Sequence, residues 1–258
     1  MIDIHCHILP GMDDGPKEKQ GFLEMANAAV QDGISHVFAT PHHRNGIYEN
    51  VKQQILEGVG KANQLLQQEK IPLILLAGQE LKIHRDIFWS IEKEEVLTLD
   101  NQGNYLLIEL LSGKVPSYTL EIVYEILIKG ITPIIVHPER NKMFQEDPSL
   151  LYELVKMGAL TQITAGSILG RFGKNSKSLS EKLIEHRIAH FIATDAHNIS
   201  SRGFALTKAY DQITSKFGIA TTYYLKENSH FLMMGDSLQI EEPIPIRKRS
   251  LGFFHLYL

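Results

Sequence analysis

The sequence predicts an α/β fold in which seven parallel strands close into a barrel. Seven short apolar runs have the length of β-strands, and segments with apolar residues at helical spacing separate them. Side chains that can bind metal follow most of these runs, as they do at the carboxyl-terminal rim of parallel barrels. An open doubly wound sheet is the competing architecture, but the absence of a Gly-x-Gly-x-x-Gly motif after the first strand weakens it.

The predicted elements alternate along the chain. Apolar runs predict strands at Ile2–His5, Ile34–Thr40, Leu73–Gly78, Tyr105–Leu110, Thr132–His137, Leu160–Thr164 and His190–Thr194. Helical spacing of apolar residues predicts helices at Lys17–Gln31, Asn50–Glu69, Asp86–Glu95, Thr119–Lys129, Pro148–Lys156, Ser178–His186 and Phe204–Phe217. Each helix can return the chain to the start of the next parallel strand, so the order favours closure into a barrel.

Composition limits the classes of protein that fit. The chain has 258 residues, a net charge of -4 and a pI near 6.3, which argue against a general nucleic-acid-binding protein. Its single cysteine excludes an intramolecular disulfide framework. The sequence shows no signal peptide and no apolar stretch long enough to span a bilayer. We therefore expect a cytoplasmic protein without stable membrane insertion, and composition leaves its oligomeric state open.

The first strand runs into the pair His5-x-His7. Side chains on a strand alternate between its two faces, so both imidazoles point the same way and can bind one metal ion. Imidazole is the commonest transition-metal ligand in proteins. A bare pair of this kind can equally be two surface histidines, so the prediction depends on the other strand ends.

Six of the seven predicted strands end in a side chain that can bind metal. These are His5 and His7, His42 and His43, Glu80, Glu109, His137, and Asp195 with His197. Burying a carboxylate without a partner is expensive, and a metal ion explains Glu80 and Glu109 better than a salt bridge does. Single members keep another interpretation: His42 and His137 can be core histidines, and Asp13-Asp14-Gly15 can be only a turn. Together the set predicts a metal site at the rim.

These residues resemble a known family. The set His5-x-His7, Asp13-Asp14-Gly15, His42, Glu80, Glu109, His137-Pro-Glu-Arg140 and Asp195-Ala-His197 is similar to the PHP (polymerase and histidinol phosphatase) superfamily. Within it, the chain resembles the capsule-type, manganese-dependent tyrosine-protein phosphatases of Gram-positive bacteria. The likeness extends over nearly the whole length and includes Gln162–Ser167 and the segment Arg247–Phe254.

The resemblance implies a distorted TIM-like (β/α)7 barrel of the PHP type with three divalent metal ions, Mn²⁺ being favoured. It assigns His5, His7, Glu80 and Asp195 to the first ion. Glu80 would bridge to a second ion, which Glu109 and His137 complete, and Asp14, His42 and His197 would bind the third. The sequence itself, through Pro243 and Pro245, predicts a phosphatase domain at residues 1–242 and a basic, aromatic tail at residues 243–258.

The charge of such a site suits a phosphate group. Three divalent ions would add six positive charges against four carboxylates, Asp14, Glu80, Glu109 and Asp195, and an anionic substrate would offset the excess. We expect direct hydrolysis, in which a metal-bound hydroxide attacks phosphorus and the tyrosine phenolate leaves. Arg140 and Arg202 are the candidates for contacting the phosphate in catalysis and binding, and Arg44 is a further candidate for binding. His43 is a candidate for assisting the leaving group, although it can equally be a wall or surface histidine.

The expected substrate is a phosphotyrosine protein, namely a bacterial tyrosine kinase or the proteins that it phosphorylates in capsule or exopolysaccharide regulation. The loops Arg44–Tyr48 and Gly166–Lys177 can form a groove for a phosphopeptide or can be ordinary solvated loops. The tail can contact an anionic surface or simply be packed or disordered. The alternative function is a PHP phosphatase for a small phosphomonoester such as histidinol phosphate. An amidohydrolase and a non-catalytic PHP module are more distant alternatives.

Cys6 is the only thiol in the chain. Cysteine-dependent tyrosine phosphatases hold their nucleophile in a Cys-x₅-Arg loop, but here Met12 stands six residues after Cys6 and the first arginine is Arg44. On a strand, Cys6 also points opposite to His5 and His7. We therefore interpret it as a packing residue.

Overall fold

The apolar runs form the wall of the barrel. The computed structural model describes residues 1–111 and 113–246 of the chain. Its strands are β1 (Ile2–Cys6), β2 (His36–Ala39), β3 (His42–His43), β4 (Ile74–Ala77), β5 (Glu80–Lys82), β6 (Tyr105–Glu109), β7 (Thr132–Val136), β8 (Leu160–Thr164) and β9 (Phe191–Ala193). All paired neighbours are parallel, in the orders β1-β2-β4 and β3-β5-β6-β7-β8-β9.

Two of the predicted strands are interrupted, and these interruptions distort the barrel. The second continues from β2 across Thr40-Pro41 into β3, and the third continues from β4 across Gly78-Gln79 into β5. Because each pair of short strands is one stretch of chain, the two sheets form one seven-stranded wall. The wall closes where Asp195 N donates to His5 O at 2.8 Å and His7 N donates to Ala196 O at 2.9 Å. The predicted barrel is confirmed, and closure rules out the open sheet.

Ten α-helices connect or cover these strands in the described part of the chain. They are α1 (Lys19–Gln31), α2 (Lys52–Gln68), α3 (Ile87–Glu92), α4 (Thr119–Ile128), α5 (Lys142–Glu146), α6 (Ser149–Met157), α7 (Ala165–Ile168), α8 (Lys174–Glu185), α9 (Leu206–Phe217) and α10 (Ile219–Met234). Short 3₁₀ helices lie at Leu99–Asn101 and Pro138–Arg140. All seven predicted helices are present with shifted ends, whereas α5, α7 and α10 were not predicted.

Helix α10 escaped prediction because its sequence lacks a clear apolar face. Its buried side chains include the polar residues Thr222, Asn228 and Ser229 beside Leu225 and Leu232. A helix is predicted from sequence when apolar residues recur at one face, and buried polar residues remove that signal. The helix packs against β1 and β9, which places Leu232 against the interior of the barrel.

Alternation along the strands produces two apolar layers. An inner cluster fills the barrel and comprises Ile4, Phe38, Leu99, Leu107, Ile134, Val136, Leu160, Phe191, Ala193 and Leu232. A larger outer cluster lies between the strands and the helices and includes Leu106 and Ile108, the neighbours of Leu107 on β6. The carboxyl ends of the same strands extend beyond the inner cluster, so their side chains form a separate polar layer.

Strand β1 departs from regular alternation at the point where its polar residues begin. Ile4 packs in the inner cluster and Cys6 in the outer cluster, although regular alternation would put both on one face. The pairing of β1 with β2 shifts register between Asp3 and Cys6. Such irregularities re-aim side chains near functional sites. The shift lets β1 contribute to the inner core with Ile4 and still turn His5 toward the rim.

Within the described residues, no helix has both the length and the apolar character needed to cross a bilayer. At the end of this part, Ile244 N donates to His186 O at 2.8 Å and Ile246 packs against the outer cluster. The boundary after residue 242 stays a prediction. Most of the predicted basic and aromatic tail, including Arg247–Phe254, lies outside the described residues.

Candidate metal centre

The structure brings together the side chains that the sequence proposed as metal ligands. They are His5, His7, Asp14, His42, Glu80, Glu109, His137, Asp195 and His197. Three overlapping groups have ligand atoms that all lie within 4.8 Å of one another. These groups are His5–His7–Glu80, His42–Glu80–Glu109, and His7–Asp14–His42–His197. The grouping differs in detail from the one that the family resemblance implies, because His42 takes the place of His137 beside Glu80 and Glu109, and Asp195 belongs to none of the three groups. The assignment of ligands to individual ions therefore stays a prediction.

Four side chains converge around the end of β1. His7 Nε2 lies 3.2 Å from Glu80 Oε2 and 3.3 Å from Asp195 Oδ1. His5 Nε2 lies 3.5 Å and 3.7 Å from the same two oxygens and 3.2 Å from His7 Nε2. Two imidazole nitrogens and two carboxylate oxygens therefore face one point, a donor set that suits Mn²⁺, Fe²⁺ or Zn²⁺.

Glu80 connects this group with a second one. Its Oε1 lies 2.8 Å from His137 Nε2, whereas its Oε2 lies 2.7 Å from His42 Nδ1. Glu109 reaches the same region, with Oε2 4.0 Å from His42 Nδ1. A carboxylate with one oxygen toward each of two groups has the arrangement of a bridging ligand between paired metal ions.

The third group lies at the edge of the mouth. Asp14 Oδ1 lies 3.3 Å from His197 Nε2 and 3.5 Å from His42 Nε2. The Asp14 side chain is 43% exposed, whereas His197 is nearly buried, so this group is the one most open to solvent. The Asp13-Asp14-Gly15 turn thus brings Asp14 to the mouth, as its position after β1 predicts.

Buried ligand atoms without hydrogen bonds show that the residues fit metal ions. His42 Nδ1, Glu80 Oε2, Asp195 Oδ1 and His197 Nε2 are all buried and have no hydrogen-bond partner. Leaving such atoms unpaired costs ~1–3 kcal/mol each, and more for charged groups. They nevertheless approach one another closely, as the 2.7 Å between His42 Nδ1 and Glu80 Oε2 shows. Divalent cations among these atoms would satisfy all four.

Two of the proposed ligands adopt a left-handed backbone conformation within two residues of the end of their strands. His137 has φ of 37° after β7, and Asp195 has φ of 51° after β9. This region is unfavourable for residues other than glycine, and His137 also precedes Pro138, which normally favours an extended conformation. A non-glycine residue in this conformation raises the free energy of the folded state by about 1–3 kcal/mol, and such backbone strain concentrates at functional sites. The left-handed turns direct both side chains into the mouth.

The charges around the site favour the protonation states that bind metal at Glu80, Asp195 and His137, but not at His7. Burial opposes ionisation of Glu80 and Asp195, but the surrounding histidines, and Arg140 beside Asp195, hold the pKa of each carboxyl well below its usual range. Burial and the nearby Arg140 lower the pKa of His137 to about 3, so its ring is neutral. Burial also opposes a charge on His7, yet Asp13, Asp195 and Glu80 raise the pKa of this ring well above its ordinary value. Metal binding would replace that proton.

Three supporting contacts were not predicted from the sequence. Asp13 Oδ2 lies 2.6 Å from His7 Nδ1, Gln162 Oε1 lies 2.9 Å from His5 Nδ1, and Lys82 Nζ lies 2.9 Å from Glu109 Oε1. Contacts of this kind orient metal-binding side chains. Strand alternation alone could have found Lys82, since it lies two residues after Glu80 on β5 and faces the same way. The local sequence around Asp13 and Gln162 does not indicate that these residues contact His7 and His5.

The two proposed phosphate-binding arginines share one carboxylate oxygen. Arg140 Nη2 lies 2.7 Å and Arg202 Nη2 2.9 Å from Asp195 Oδ2. Both side chains line a cavity of about 350 Å³ at the mouth, together with His42, Glu80, Glu109, His137 and Asp195. Apart from the polar residue Asn141, the other part of the lining is apolar and comprises Leu110, Val136, Pro138, Phe144 and Phe172.

His43 and Arg44 lie apart from the groups that line this cavity. His43 pairs with Leu81, whose side chain belongs to the outer cluster, and burial lowers the pKa of His43 to about 4. Arg44 Nη2 lies 3.0 Å from Glu95 Oε2, and its guanidinium is 5.9 Å from the centre of the Trp89 ring. Their roles with the leaving group and the phosphate stay predictions, without a contact to the cavity in the described residues.

The chain matches a family model described as "Capsular polysaccharide synthesis, CpsB/CapC" over residues 1–233. The chain belongs to the CpsB/CapC family. Tyrosine-protein phosphatase YwqE of Bacillus subtilis is 44% identical over 255 residues, which cover 98% of this chain and all of that relative. Putative tyrosine-protein phosphatase CapC of Staphylococcus aureus is 41% identical over 254 residues, with 98% and 99% covered.

A solved structure similar to this CpsB/CapC chain comes from work on YwqE of Bacillus subtilis and CpsB of Streptococcus pneumoniae, described there as unique metal-dependent tyrosine phosphatases. It has a TM-score of 0.93 and 42% identity and covers 96% of this chain and 100% of its own. Histidinol phosphate phosphatase of Lactococcus lactis is similar with a TM-score of 0.52 at 14% identity, covering 83% and 92% of the two chains. That likeness shows a shared fold only.

Proposed function

We propose that this chain is a metal-dependent protein-tyrosine phosphatase. The observation that supports it most strongly is the convergence of unpaired buried ligand atoms beside Arg140 and Arg202 in one cavity. The names of the similar proteins, tyrosine-protein phosphatases, support phosphotyrosine rather than a small phosphomonoester as the proposed substrate. Histidinol phosphate, the alternative, has support only from a likeness in fold.

The proposal includes three divalent ions, with Mn²⁺ as the favoured metal. His5, His7, Glu80 and Asp195 would bind the first ion, and Glu80, Glu109 and His137 the second. Asp14, His42 and His197 would bind the third. The mixture of imidazole and carboxylate favours Mn²⁺ over Mg²⁺, because Mg²⁺ prefers oxygen ligands and retains its water.

Divalent ions held by these residues would lower the pKa of coordinated water and offset negative charge on the phosphoryl oxygens. The protein contributes orientation and further positive charge. Asp195 orients the guanidinium groups of Arg140 and Arg202, and Arg202 Nη1 also lies 3.6 Å from Asp14 Oδ2. The remaining N–H groups of the two arginines would donate to the phosphoryl oxygens. These donors stabilise the phosphoryl group in the transition state. The leaving phenol has a pKa of about 10, so it departs with less protonation than an alkyl alcohol requires.

We infer that the physiological substrates are phosphotyrosine proteins, a bacterial tyrosine kinase or its substrates in capsule or exopolysaccharide regulation. The support is the family description, capsular polysaccharide synthesis, and the names of the relatives. A cytoplasmic location follows only if these substrate tyrosines lie on the cytoplasmic side, and it stays part of this proposal.

A comparison of substrates tests the function. The chain is stripped of metal, reconstituted with Mn²⁺ or Mg²⁺, and supplied with a phosphotyrosine peptide, the same peptide with phosphoserine, or histidinol phosphate. We expect fast release of phosphate from the phosphotyrosine peptide with Mn²⁺, slower release with Mg²⁺, and little from the other two substrates. Preference for histidinol phosphate would contradict the proposal, as would full activity in protein that elemental analysis shows to be metal-free.

A further inference from the structure

Phe172 is an aromatic side chain without a place in the hydrophobic core. It lines the mouth cavity and is half-buried. In the described part of the chain it packs with neither the inner nor the outer cluster. A ring that contributes little to core packing and faces a functional cavity is a candidate for ligand contact.

The backbone holds Phe172 in one position. Gly170 and Gly173, with φ of 82° and 91°, turn the chain on either side of Arg171-Phe172. Arg171 N donates to Gly166 O at 2.8 Å, and Gly173 N donates to Gly170 O at 3.1 Å. The Arg171 side chain also donates to Gly203 O at 3.1 Å, which connects this turn to the segment that contains Arg202. These three hydrogen bonds therefore restrict the position of the turn.

Gly166 provides the space that the ring occupies. A Cβ atom at position 166 would lie 2.8 Å from Phe172 Cε2, closer than such contacts occur. Any larger residue there would displace the ring. The absence of a side chain at Gly166 therefore allows the Phe172 ring to lie beside the proposed phosphate-binding end of the cavity.

On the other side, Phe172 borders Arg140. The Arg140 guanidinium carbon lies 4.9 Å from the centre of the ring, a distance at which cations and aromatic faces attract each other. The same guanidinium contacts Asp195. A phosphoryl group bound by Arg140 would place the group attached through its ester oxygen next to Phe172.

We propose that Phe172 is the specificity-determining residue that binds the aromatic ring of the substrate. The cavity divides into a charged part for the phosphoryl group and an apolar wall, of which Phe172 is the partly exposed aromatic member. Aromatic pairs are stable with ring centres ~4.5–7 Å apart, and an alkyl phosphate cannot form such a pair. Phe172 therefore selects aryl over alkyl phosphates. This inference rests on the proposed function, which it extends to the recognition of the tyrosyl ring.

Binding of phosphonates separates ring recognition from catalysis. The Mn²⁺-loaded chain is titrated calorimetrically with phenylphosphonate, methylphosphonate and inorganic phosphate. Phe172→Ala should weaken phenylphosphonate binding about ten-fold and change the other two by about two-fold or less. Phe172→Trp should restore the preference, and Gly166→Ala should lower it although Phe172 is intact. Tyr223→Ala, which removes an exposed aromatic side chain of α10, is the control and should have no effect.

Two results of the binding experiment, and one of the kinetic experiment described after them, would overturn the inference. An equal loss for phenylphosphonate and methylphosphonate would show that Phe172 only orients Arg140, and no loss for either would show that the ring is not bound there. In parallel, phosphotyrosine and phosphoserine peptides report on kcat/KM. If the wild type hydrolyses phosphotyrosine and Phe172→Ala keeps the same ratio of kcat/KM for the phosphotyrosine and phosphoserine peptides, only the role of Phe172 is contradicted. Ring-dependent binding without phosphotyrosine hydrolysis contradicts only the proposed function.

Discussion

Asp13 Oδ2 lies 2.6 Å from His7 Nδ1, on the side of the ring opposite the nitrogen that faces Glu80 and Asp195. The same oxygen accepts the backbone N–H of His42 at 3.1 Å, and Asp13 Oδ1 accepts that of Gly15 at 2.9 Å. Asp13 therefore connects β1, the first loop and β3 through one carboxylate. It fixes which His7 nitrogen is free for a metal ion.

Asp13→Asn should weaken metal binding while preserving the fold. The amide is close in shape but carries no charge and cannot stabilise the Nδ1–H form of His7 as well, so we expect a loss of about 10–100-fold in metal affinity. Titration of the metal-free chain with Mn²⁺ measures it. Asp211→Asn, at an exposed position of α9, is the matched control. Unchanged affinity in Asp13→Asn would show that the contact does not tune the site.

Arg140→Ala and Arg202→Ala should lower kcat/KM with the metal content unchanged. Each loses donors for the phosphoryl group and leaves Asp195 with the other arginine, so we expect a decrease of about 10²–10³-fold for each. Arg187→Ala, which breaks a surface ion pair with Glu241, should leave kcat/KM as it is.

His137→Ala should behave differently from the arginine variants. It removes a proposed ligand next to Glu80, so its bound metal should decrease along with its activity. Elemental analysis of dialysed protein separates the two classes. If Arg140→Ala lost metal to the same extent as His137→Ala, the arginine would support the metal site rather than the phosphate.

Cys6→Ser should retain activity. The Cys6 side chain is fully buried in the outer cluster, and its thiol donates to Ala196 O at 3.5 Å. Burial, with the carboxylates of Asp3 and Asp195, raises the pKa of the thiol well above its ordinary value, which suppresses the thiolate that a nucleophile requires. We expect activity within about three-fold of the wild type, since mutation of a buried packing residue costs mainly stability. Iodoacetamide should inhibit little. A folded, metal-loaded Cys6→Ser protein without activity would favour a cysteine nucleophile.

His190 should make the folded protein less stable as the pH falls below about 6.5. Its side chain is fully buried, its Nδ1 accepts the backbone N–H of Thr161 at 3.0 Å, and burial lowers its pKa to about 3. Between the unfolded pKa of about 6.5 and this folded value, only the unfolded chain binds the proton. As the pH decreases across that range, the contribution of His190 to the free energy of unfolding should fall by about 1.4 kcal/mol per pH unit. Above pH ~6.5 this contribution should be constant.

Urea denaturation between pH 5 and pH 7.5 tests the role of His190. The difference in unfolding free energy between the wild type and His190→Gln should shrink as the pH falls, because groups shared by both proteins cancel. Gln67→Ala, at an exposed position of α2 and without a titratable group, should give a curve parallel to the wild type. A difference between wild type and His190→Gln that is independent of pH would mean that the buried ring accepts a proton in the folded state.

The sequence by itself determined the barrel and the residue types of its rim. Strand-length apolar runs ending in residues such as His5, Glu80 and Asp195 predict both, because alternation and strand polarity are local properties of the chain. The ion to which each ligand binds came from the family resemblance, and these assignments stay predictions. Helix α10 was missed because its buried face contains Asn228 and Ser229, which disguise its period.

Only the tertiary structure decided how the rim side chains are oriented. The register shift in β1, the left-handed turns at His137 and Asp195, and the contact of Gln162 with His5 have no signature in local sequence. The partners Gln162 and His5 are 157 residues apart and meet only when β8 and β1 occupy the same barrel. Such geometry costs local free energy that the folded barrel offsets through its packing, so it cannot be predicted from local preference.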